Sequence, residues 1–381
     1  MRIGIDIRTL MDKHYSGIPE YSYKIIKNIL EIDKENEYVL FYNSWKNISD
    51  SLPDFKKPNV SYYRTKFPNK IFNYILQKTL KWPKIDKLLE VDVFFMPHIN
   101  FIALSNKVKK IVTVHDLSFV MYPEYFSLRK NIWHKSIGLE KMLASFDKII
   151  SVSKNTKNDI VKYLGIDKEK IEVIYSGIPS EYKNIDVMDK KINEVRDEYN
   201  LNKPYIFYLG NIEPRKNILG LIKAFESLLE NSPRYNNYEL IIAGAKGWKY
   251  KKIVKYWQNS KIKDKIRFLG YINSDDKKYL YNLASVFVYP SFYEGFGFPP
   301  LEAIVCGTPV ITSANSSLAE ILGQSALYVD AKDVVSIELA MKEVLDNNKL
   351  KEKILKDSQK FVEKYNWMNT AEQVYRVFEG T

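Results

Sequence analysis

The 381-residue chain has one cysteine, Cys306, which excludes an intramolecular disulfide framework. A lone cysteine suits a reducing compartment, and we interpret Cys306 as a small buried apolar residue rather than a nucleophile. No apolar run of about eighteen residues is present, so no segment is predicted to cross a bilayer. Met1 leads directly into the alternating string R-I-G-I-D-I, and we therefore expect no signal peptide. These absences predict a cytoplasmic protein, either free or peripheral on the inner face of the plasma membrane.

The sequence also lacks the residue patterns of two common kinds of site. Its histidines and its cysteine include no closely spaced ligand pair, and no carboxylate cluster suits Mg²⁺, so we predict no metal site. The fingerprint G-x-G-x-x-G is missing after the first predicted strand, which argues against a dinucleotide-dependent dehydrogenase. With 45% hydrophobic and 14% aromatic residues, the chain is instead predicted to form globular domains, and its length allows two.

Short β-rich runs alternate with amphipathic helical patterns in two successive series. The first series of predicted strands is Arg2–Ile7, Tyr38–Tyr42, Val91–Met96, Lys110–Val114, Lys148–Val152 and Ile171–Ile174. The second is Tyr205–Leu209, Tyr238–Ala243, Ile266–Leu269, Val286–Tyr289, Pro309–Thr312 and Ala326–Val329. A charge-rich stretch separates the two series. The alternation predicts an α/β protein with two doubly wound, Rossmann-like domains facing across a cleft: an N-terminal domain 1–180, a linker 181–203 and a C-terminal domain 204–360.

The block S-F-Y-E-G-F-G-F-P-P-L-E-A-I-V-C-G-T-P, which begins at Ser291, carries two carboxylates, Glu294 and Glu302. Glu294 follows a predicted buried strand, and the two prolines suit the first turn of a helix that carries Glu302. Because proline lacks an N–H donor, an anion bound there would be held by the amides of Gly295, Phe296, Gly297 and Phe298. Taken alone, the same carboxylates also fit a turn residue and a favourable charge near a helix N-terminus.

A second pattern follows the strand Tyr205–Leu209. Gly210 ends the strand, and Arg215 and Lys216 precede a predicted helix N-terminus. Two cations and a helix dipole at one point favour a diphosphate, with arginine as a planar donor and lysine as a mobile charge. A solvated basic turn explains these two residues equally well when they are considered alone.

The N-terminal series offers a glycine and a histidine at strand ends. Gly17 begins a helix after the first strand, where a glycine allows close approach of a ligand. His115 ends the strand K-I-V-T-V, so its imidazole is expected at the carboxyl edge of the sheet. We expect His14, His98 and His134 to lack a comparable setting. A lone histidine is by itself more often structural than catalytic.

Three strings together resemble the retaining glycosyltransferases of family 4. They are E-G-F-G-F-P-P-L-E-A, G-N-I-E-P-R-K-N and V-H-D-L-S-F followed by Y-P-E, and the motifs are closest to bacterial O-antigen and exopolysaccharide mannosyltransferases. The resemblance covers nearly the whole chain and implies a GT-B fold, with an acceptor-binding N-terminal domain, a nucleotide-sugar-binding C-terminal domain and a last helix, 361–381, crossing back to the first domain. Two positions depart from the family pattern: Asn211 replaces a frequent basic residue, and Ser16-Gly17 replaces a double glycine.

The resemblance also implies roles for these residues. Glu294 would bind donor sugar hydroxyls beside the anomeric carbon, Glu302 the ribose, and Arg215 with Lys216 the departing diphosphate. His115 would lie near the transferred sugar, and Gly17 near donor phosphate and acceptor. The implied reaction is metal-independent hexose transfer without a cofactor, with retention, from a nucleotide diphosphate sugar, GDP-mannose being favoured, to a lipid-linked or growing polysaccharide. A UDP-sugar donor, a nucleotide-sugar epimerase, a two-carboxylate glycosidase and a non-catalytic membrane-associated glycan-binding protein are the alternatives.

The net charge of +12 is densest in the segment 61–87, which has seven cations against Asp86. Within this segment Ile71, Phe72, Ile75, Leu76 and Leu80 follow helical spacing. The pattern is typical of a basic amphipathic segment at an anionic membrane surface, where each cation contributes about 1 kcal/mol. It fits equally well a helix that packs its apolar stripe on the sheet and leaves a solvated basic face. No nucleic-acid-binding motif accompanies the charge, so nucleic acid is not expected as a partner.

Overall fold

The computed structural model describes residues 1–11, 17–55, 57–186, 188–356 and 358–380. The chain divides into two compact units. The first contains Met1–Leu117, Arg129–Gly177 and the segment from Tyr365 onward, and the second contains Ser118–Leu128 and Ile178–Lys364. Each unit therefore draws on chain segments that are far apart in sequence.

The described residues form thirteen strands, sixteen α-helices and one π-helix, Ile71–Leu80. The strands are β1 (Arg2–Asp6), β2 (Glu37–Asn43), β3 (Val60–Thr65), β4 (Val93–Met96), β5 (Lys109–Val114), β6 (Lys148–Ser151), β7 (Ile171–Val173), β8 (Tyr205–Leu209), β9 (Glu239–Ala243), β10 (Ile266–Gly270), β11 (Val286–Tyr289), β12 (Val310–Ser313) and β13 (Leu327–Val329). The helices are α1 (Ile18–Ile32), α2 (Ile85–Leu89), α3 (Ser118–Met121), α4 (Leu128–Ile137), α5 (Leu139–Ala144), α6 (Lys154–Leu164), α7 (Lys190–Glu198), α8 (Ile218–Asn231), α9 (Lys251–Asn259), α10 (Ser274–Leu283), α11 (Phe298–Val305), α12 (Leu318–Leu322), α13 (Val334–Asp346), α14 (Asn348–Leu355), α15 (Ser358–Lys364) and α16 (Trp367–Glu379). No helix among the described residues has both the length and the apolar content needed to cross a bilayer.

Both sheets are parallel and doubly wound, as predicted. Across the described residues, the first has the strand order β3-β2-β1-β4-β5-β6-β7 and the second β10-β9-β8-β11-β12-β13. Every residue of β4 and β8 is buried, as expected for central strands covered on both faces. The strand order reverses between β1 and β4 and between β8 and β11, and open α/β sheets bind ligands beyond the carboxyl ends of the strands at such a point.

The strand β3 was not predicted from the sequence. It forms the edge of the first sheet, and Thr65 is the buried residue of its string V-S-Y-Y-R-T. An edge strand with so little burial lacks the apolar alternation on which the prediction depends. The segment 61–87 therefore contains most of β3, the π-helix and the start of α2. The helical spacing predicted between Ile71 and Leu80 coincides with the π-helix. Predicted ends of the other strands differ from the structure by no more than two residues.

The segment 181–203, interpreted above as a linker, contains the helix α7. The side chain of Asp189 caps the helix by accepting from the amides of Lys191 and Ile192, and Ile192 and Val195 are buried. Two apolar residues three positions apart are enough to anchor one face, but the surrounding charges hide them in a composition profile.

The helix α16 lies in the first unit and packs against α1. The hydroxyl of Thr370 donates to the carbonyl of Tyr175 at 2.8 Å, and Asn36 donates to the hydroxyl of Tyr375 at 2.9 Å. A Cβ atom on Gly177 would lie 2.3 Å from the backbone nitrogen of Trp367, so the approach of α16 requires a glycine there.

Candidate active site

Two loops at the reversal point of the second sheet carry the predicted site residues of that unit. The first loop leaves β8 at Gly210, whose amide donates to the carbonyl of Ala243 at 3.0 Å. A Cβ atom on Gly244 of the neighbouring strand end would lie 2.0 Å from the carbonyl oxygen of Gly210, so the two loops here approach backbone to backbone. The chain then forms a 3₁₀ turn, Pro214–Lys216, and enters α8.

The second loop connects β11 to α11 and contains Glu294. The helix begins at Phe298 with prolines in its first turn, as the sequence predicted, and Gly297 precedes it at φ +100°. A Cβ atom on Gly297 would also lie 2.6 Å from Leu318, so conformation and space both require glycine. The hydroxyl of Ser317 donates to the carbonyls of Glu294 at 2.9 Å and Phe296 at 3.1 Å, which fixes the loop.

The carboxylate of Glu294 binds both cations of the first loop. Lys216 Nζ lies 2.6 Å from Glu294 Oε1, and Arg215 Nη1 lies 3.2 Å from Glu294 Oε2. Arg215 also lies 3.0 Å from Glu213, and its guanidinium donates to the carbonyl of Tyr293. We call Glu213, Arg215, Lys216 and Glu294 the ion cluster. All four residues are buried, and their charges sum to zero.

The ion cluster fixes the protonation of its members. Burial alone would raise the pKa of Glu294, but the charges of Arg215 and Lys216 outweigh it and hold that pKa at about 2. Burial and the neighbouring Arg215 lower the pKa of Lys216 from its ordinary value. Glu294 is therefore an ionised acceptor near neutral pH. It suits positioning and electrostatic roles rather than proton donation.

Three residues at the cluster were not predicted as site residues. Glu213 holds Arg215, Lys216 Nζ donates to the hydroxyl of Tyr289 at 2.6 Å, and Ser291 donates to Glu294 Oε1 at 2.5 Å. Glu213 lies within the string N-I-E-P-R-K-N, while Tyr289 ends β11 and Ser291 follows two residues later. Their position at strand ends beside the motifs was the signal that could have identified them.

Glu302 lies on α11, as expected, and its carboxylate contacts a residue of α10. It is buried and accepts a hydrogen bond from the hydroxyl of Tyr281 at 2.8 Å. Cys306 is also buried, and burial, with a smaller contribution from Glu302, raises the pKa of its thiol. The interpretation of Cys306 as an inert apolar residue is thus consistent with its surroundings. The ribose-binding role of Glu302 remains a prediction.

Gly295 and Phe296 are buried, and the rings of Phe296 and Phe298 lie 4.9 Å apart. These contacts order the loop in which the amides of Gly295 to Phe298 were predicted to hold an anion. The anion-binding role itself remains a prediction.

Aromatic residues from Ser118–Leu128 support the Glu294 loop within the second unit. The ring of Tyr125 stacks on Phe292 at 5.4 Å, and Tyr122 lies 5.7 Å from Tyr293. Trp248 Nε1 donates to the carbonyl of Tyr125 at 2.6 Å, which holds the segment in place. Local sequence patterns could not predict these contacts, because they join residues more than a hundred positions apart.

In the first unit, His115 follows β5 at the carboxyl edge of the sheet, as predicted. His115 Nε2 lies 2.8 Å from the carbonyl oxygen of Pro97, which can only accept, so Nε2 carries the proton. The ring of Tyr21 meets the imidazole edge to face at 4.7 Å. Burial lowers the pKa of His115, so the neutral ring presents Nδ1 as an acceptor.

The expectation that His98 lacks a comparable setting does not hold, whereas His134 lies on α4 rather than at a strand end. The ring of His98 lies 6.0 Å from the ring of His115. Burial, and then the charges of His115, His134 and Arg8, lower the pKa of His98. His98 follows β4 as His115 follows β5, and these strands are neighbours, so their ends meet at one edge. His14 and Ser16 lie outside the described residues. Gly17 has φ +61° at the start of α1, which explains the glycine, while its ligand role remains a prediction.

We expect acid to destabilise the protein through His98. Burial, with smaller contributions from His115, His134 and Arg8, lowers its pKa to about 3, whereas in the unfolded chain it titrates near 6.5. Below that value the unfolded state binds more protons, so stability falls as pH decreases, by at most about 1.4 kcal/mol per pH unit for one histidine. The His98→Gln variant should show a shallower fall in melting temperature between pH 6.5 and 4.5.

The range from pH 6.5 to 4.5 separates the effect of His98 from that of Glu294. The stability that the lowered pKa of Glu294 contributes is lost only as pH falls from 4.5 towards about 2. His134 shares the window because its pKa is lowered to about 4, chiefly by burial and then by Lys130. His134→Gln should therefore flatten the curve as well. Equal acid sensitivity in wild type and His98→Gln would show that His98 titrates normally in the folded protein.

Among the described residues, no group of three or more histidine, cysteine, aspartate or glutamate side chains is arranged to hold a metal ion. Metal independence of the reaction remains a prediction, which chelation tests directly.

Comparisons with known proteins extend these observations. The family description "Glycosyl transferases group 1" matches residues 189–361, and "Glycosyltransferase Family 4" matches residues 37–182. The O-antigen chain mannosyltransferase B of Escherichia coli is 31% identical over 288 residues, which are 75% of this chain and 72% of that protein. The chain spans only 31% to 32% of the length of some longer relatives.

Two solved structures share the fold at low identity. Sucrose-phosphate synthase from Thermosynechococcus elongatus has a TM-score of 0.76 at 18% identity, covering 100% of this chain and 98% of that one. Anabaena HepE in complex with UDP-glucose has a TM-score of 0.74 at 16% identity, covering 100% of both chains. These similarities confirm the predicted fold. With the family matches and the E. coli relative, they establish that the chain belongs to glycosyltransferase family 4 and is a glycosyltransferase of the GT-B fold.

Proposed function

We propose that the protein transfers mannose from GDP-mannose to a hydroxyl of a lipid-linked or growing polysaccharide, with retention at the anomeric carbon. The main support for a nucleotide diphosphate sugar as donor is the pair of buried cations, Arg215 and Lys216, at the reversal point of the second sheet. The mannosyl group and the polysaccharide acceptor are supported by the name of the E. coli relative. Because the chain is a glycosyltransferase, the epimerase, glycosidase and non-catalytic alternatives no longer apply.

In the proposed reaction, the bond between the anomeric carbon and the diphosphate oxygen breaks, and a bond to the acceptor oxygen forms on the same face. The leaving diphosphate takes the acceptor proton, so no protein base is required. Arg215 and Lys216 stabilise the charge that develops on the diphosphate, which is where electrostatic stabilisation is most effective. Glu294 stays ionised, as its pKa of about 2 implies, and positions the sugar.

His115 would contribute an acceptor atom in this scheme. Its Nε2–H is used by the carbonyl of Pro97, so Nδ1 is the atom that can accept from a sugar hydroxyl. Glu302 would bind the ribose, and the tyrosine hydroxyl that donates to it would keep the carboxylate oriented.

The proposal predicts activity without a metal ion. If cationic side chains stabilise the leaving diphosphate, then turnover of GDP-mannose should be unchanged by EDTA, and the anomeric proton of the product should show the donor's configuration by NMR. Calorimetry should give tighter binding for GDP than for UDP. An inverted linkage or strict metal dependence would overturn the mechanism.

A UDP-sugar donor is the second candidate, supported by the complex of the HepE structure with UDP-glucose. Tighter binding of UDP in the same calorimetric series would replace GDP-mannose by this donor and leave the rest of the scheme intact.

A further inference from the structure

The helix α4 is half-buried on one side, at Asn131, Trp133, His134, Ser136 and Ile137, and exposed at its other five residues, all ten being described by the structure. Leu128 is 76% exposed and Ile132 is 60% exposed. The string L-R-K-N-I-W-H-K-S-I also carries Arg129, Lys130 and Lys135 and contains no carboxylate. A short helix is stabilised mainly by burial of an apolar face. The exposed apolar and cationic surface of α4 is therefore a candidate for contact with a partner.

The π-helix Ile71–Leu80 presents a similar surface. Phe72 and Leu76 are buried, and the side-chain oxygen of Gln77 accepts from the amide of Ala103 at 2.6 Å, which anchors the helix to the first unit. On the outer side, Ile75 is 50% exposed and Leu80 is 61% exposed. The apolar residues of this segment are thus divided between the core and the surface, so packing on the unit accounts for only some of them.

The two helices contact the same aromatic ring, that of Phe101. The ring of Phe101 lies 5.2 Å from Tyr74 of the π-helix and 5.9 Å from Trp133 of α4. Both helices therefore flank the same buried ring of the first unit. We call the segment 66–88, which contains the π-helix and Trp82, together with α4 the basic apolar patch.

The charge of the patch indicates the chemistry of its partner. In the ranges 66–88 and 128–137 the exposed cations are Lys66, Lys70, Lys78, Lys81, Lys87, Arg129, Lys130 and Lys135. The only carboxylate in these ranges, Asp86, is buried and accepts from the amide of Ser105 at 2.7 Å. The exposed charges of these two ranges are therefore all positive, with single apolar side chains and the exposed Trp82 between them.

We propose that the basic apolar patch binds the surface of an anionic lipid bilayer. Cations attract the negative headgroups, isolated apolar side chains enter the headgroup region, and tryptophan and tyrosine favour that interface. A bilayer accommodates apolar residues separated by charges, whereas a protein partner of ordinary size requires a more continuous complementary core. The inference deepens the proposed function and rests on it for the lipid-linked acceptor, because the patch would hold the enzyme where that acceptor is found.

Co-sedimentation of the full chain with vesicles tests this proposal. Vesicles of equal parts phosphatidylglycerol and phosphatidylcholine should bind the protein, pure phosphatidylcholine should not, and binding should fall as salt rises from about 50 to 300 mM. The double variants Ile75→Ser/Ile132→Ser and Lys130→Gln/Lys135→Gln should each lower the partition coefficient roughly tenfold or more. All four side chains are exposed, and circular dichroism would verify that the variants are folded.

Matched controls lie on the second unit. Val335→Ser/Leu339→Ser on α13 removes equally exposed apolar side chains, and Lys349→Gln/Lys353→Gln on α14 removes two exposed cations. Both should bind vesicles as wild type does. Calorimetric binding of GDP without vesicles reports the donor site alone and should be unchanged in every variant, so loss of vesicle binding is distinguishable from failure of the proposed function.

Three results would overturn the proposal. They are vesicle binding that is independent of salt and of phosphatidylglycerol, equal binding by the patch variants and the controls, and a dimer by light scattering that the Ile75→Ser/Ile132→Ser variant abolishes. The last result would assign the patch to a second copy of the chain.

Discussion

The Glu294→Gln variant is expected to lose about 10²-fold or more in kcat while retaining affinity for the nucleoside diphosphate. Glutamine keeps the shape of the side chain but removes the charge that pairs with Arg215 and Lys216. The sugar would then lose an ionised acceptor. The diphosphate would meet two cations with less competition, so its affinity should be equal or higher. Steady-state kinetics and calorimetry with GDP measure the two effects separately.

The matched control for this variant is Glu338→Gln. Glu338 is also a buried glutamate of the second unit, but it accepts from Ser227 and Asn231 rather than from cations. It should lose some stability and little kcat per folded molecule. If Glu294→Gln instead lost GDP affinity in proportion to its activity, the carboxylate would serve mainly to hold the loop, and the positioning role would be wrong.

Lys216→Ala should weaken nucleoside diphosphate binding by about 1.5–3 kcal/mol, which is roughly 10- to 150-fold in Kd. Lys216 Nζ is held between Glu294 Oε1 and the hydroxyl of Tyr289, at 2.6 Å from each, so the ammonium is fixed at the end of β11. The loss comes from charge-assisted bonds to phosphate. Affinity for the free nucleoside should therefore hardly change in the same calorimetric series.

Lys223→Ala provides the control, because Lys223 is an exposed cation on α8, the helix that follows the turn of Lys216. Its removal should leave both affinities unchanged. An equal loss for the diphosphate and the nucleoside in Lys216→Ala would mean that the turn Pro214–Lys216 is structural and does not contact phosphate.

Local patterns explain why much of the fold could be predicted. The strands β4 and β8 are continuous apolar runs, and the prolines at the start of α11 and the glycine before it signal a loop that enters a helix. Each of these signals is contained in a few consecutive residues. The edge strand β3 and the helix α7 escaped because their burial is small and their polar residues dominate the local composition.

The sequence by itself determined the two doubly wound sheets, the strand ends that carry His115, Arg215, Lys216 and Glu294, and the resemblance to the family. Only the tertiary structure decided how those groups are paired. Glu294 meets Lys216 from 78 positions away, and with Arg215 and Glu213 it forms a neutral buried cluster that keeps Glu294 ionised. Likewise, His98 joins His115 because β4 and β5 are neighbours. Hydrophobic periodicity is a local property that the chain carries everywhere, whereas an ion pair or a shared surface exists only after distant segments have packed together.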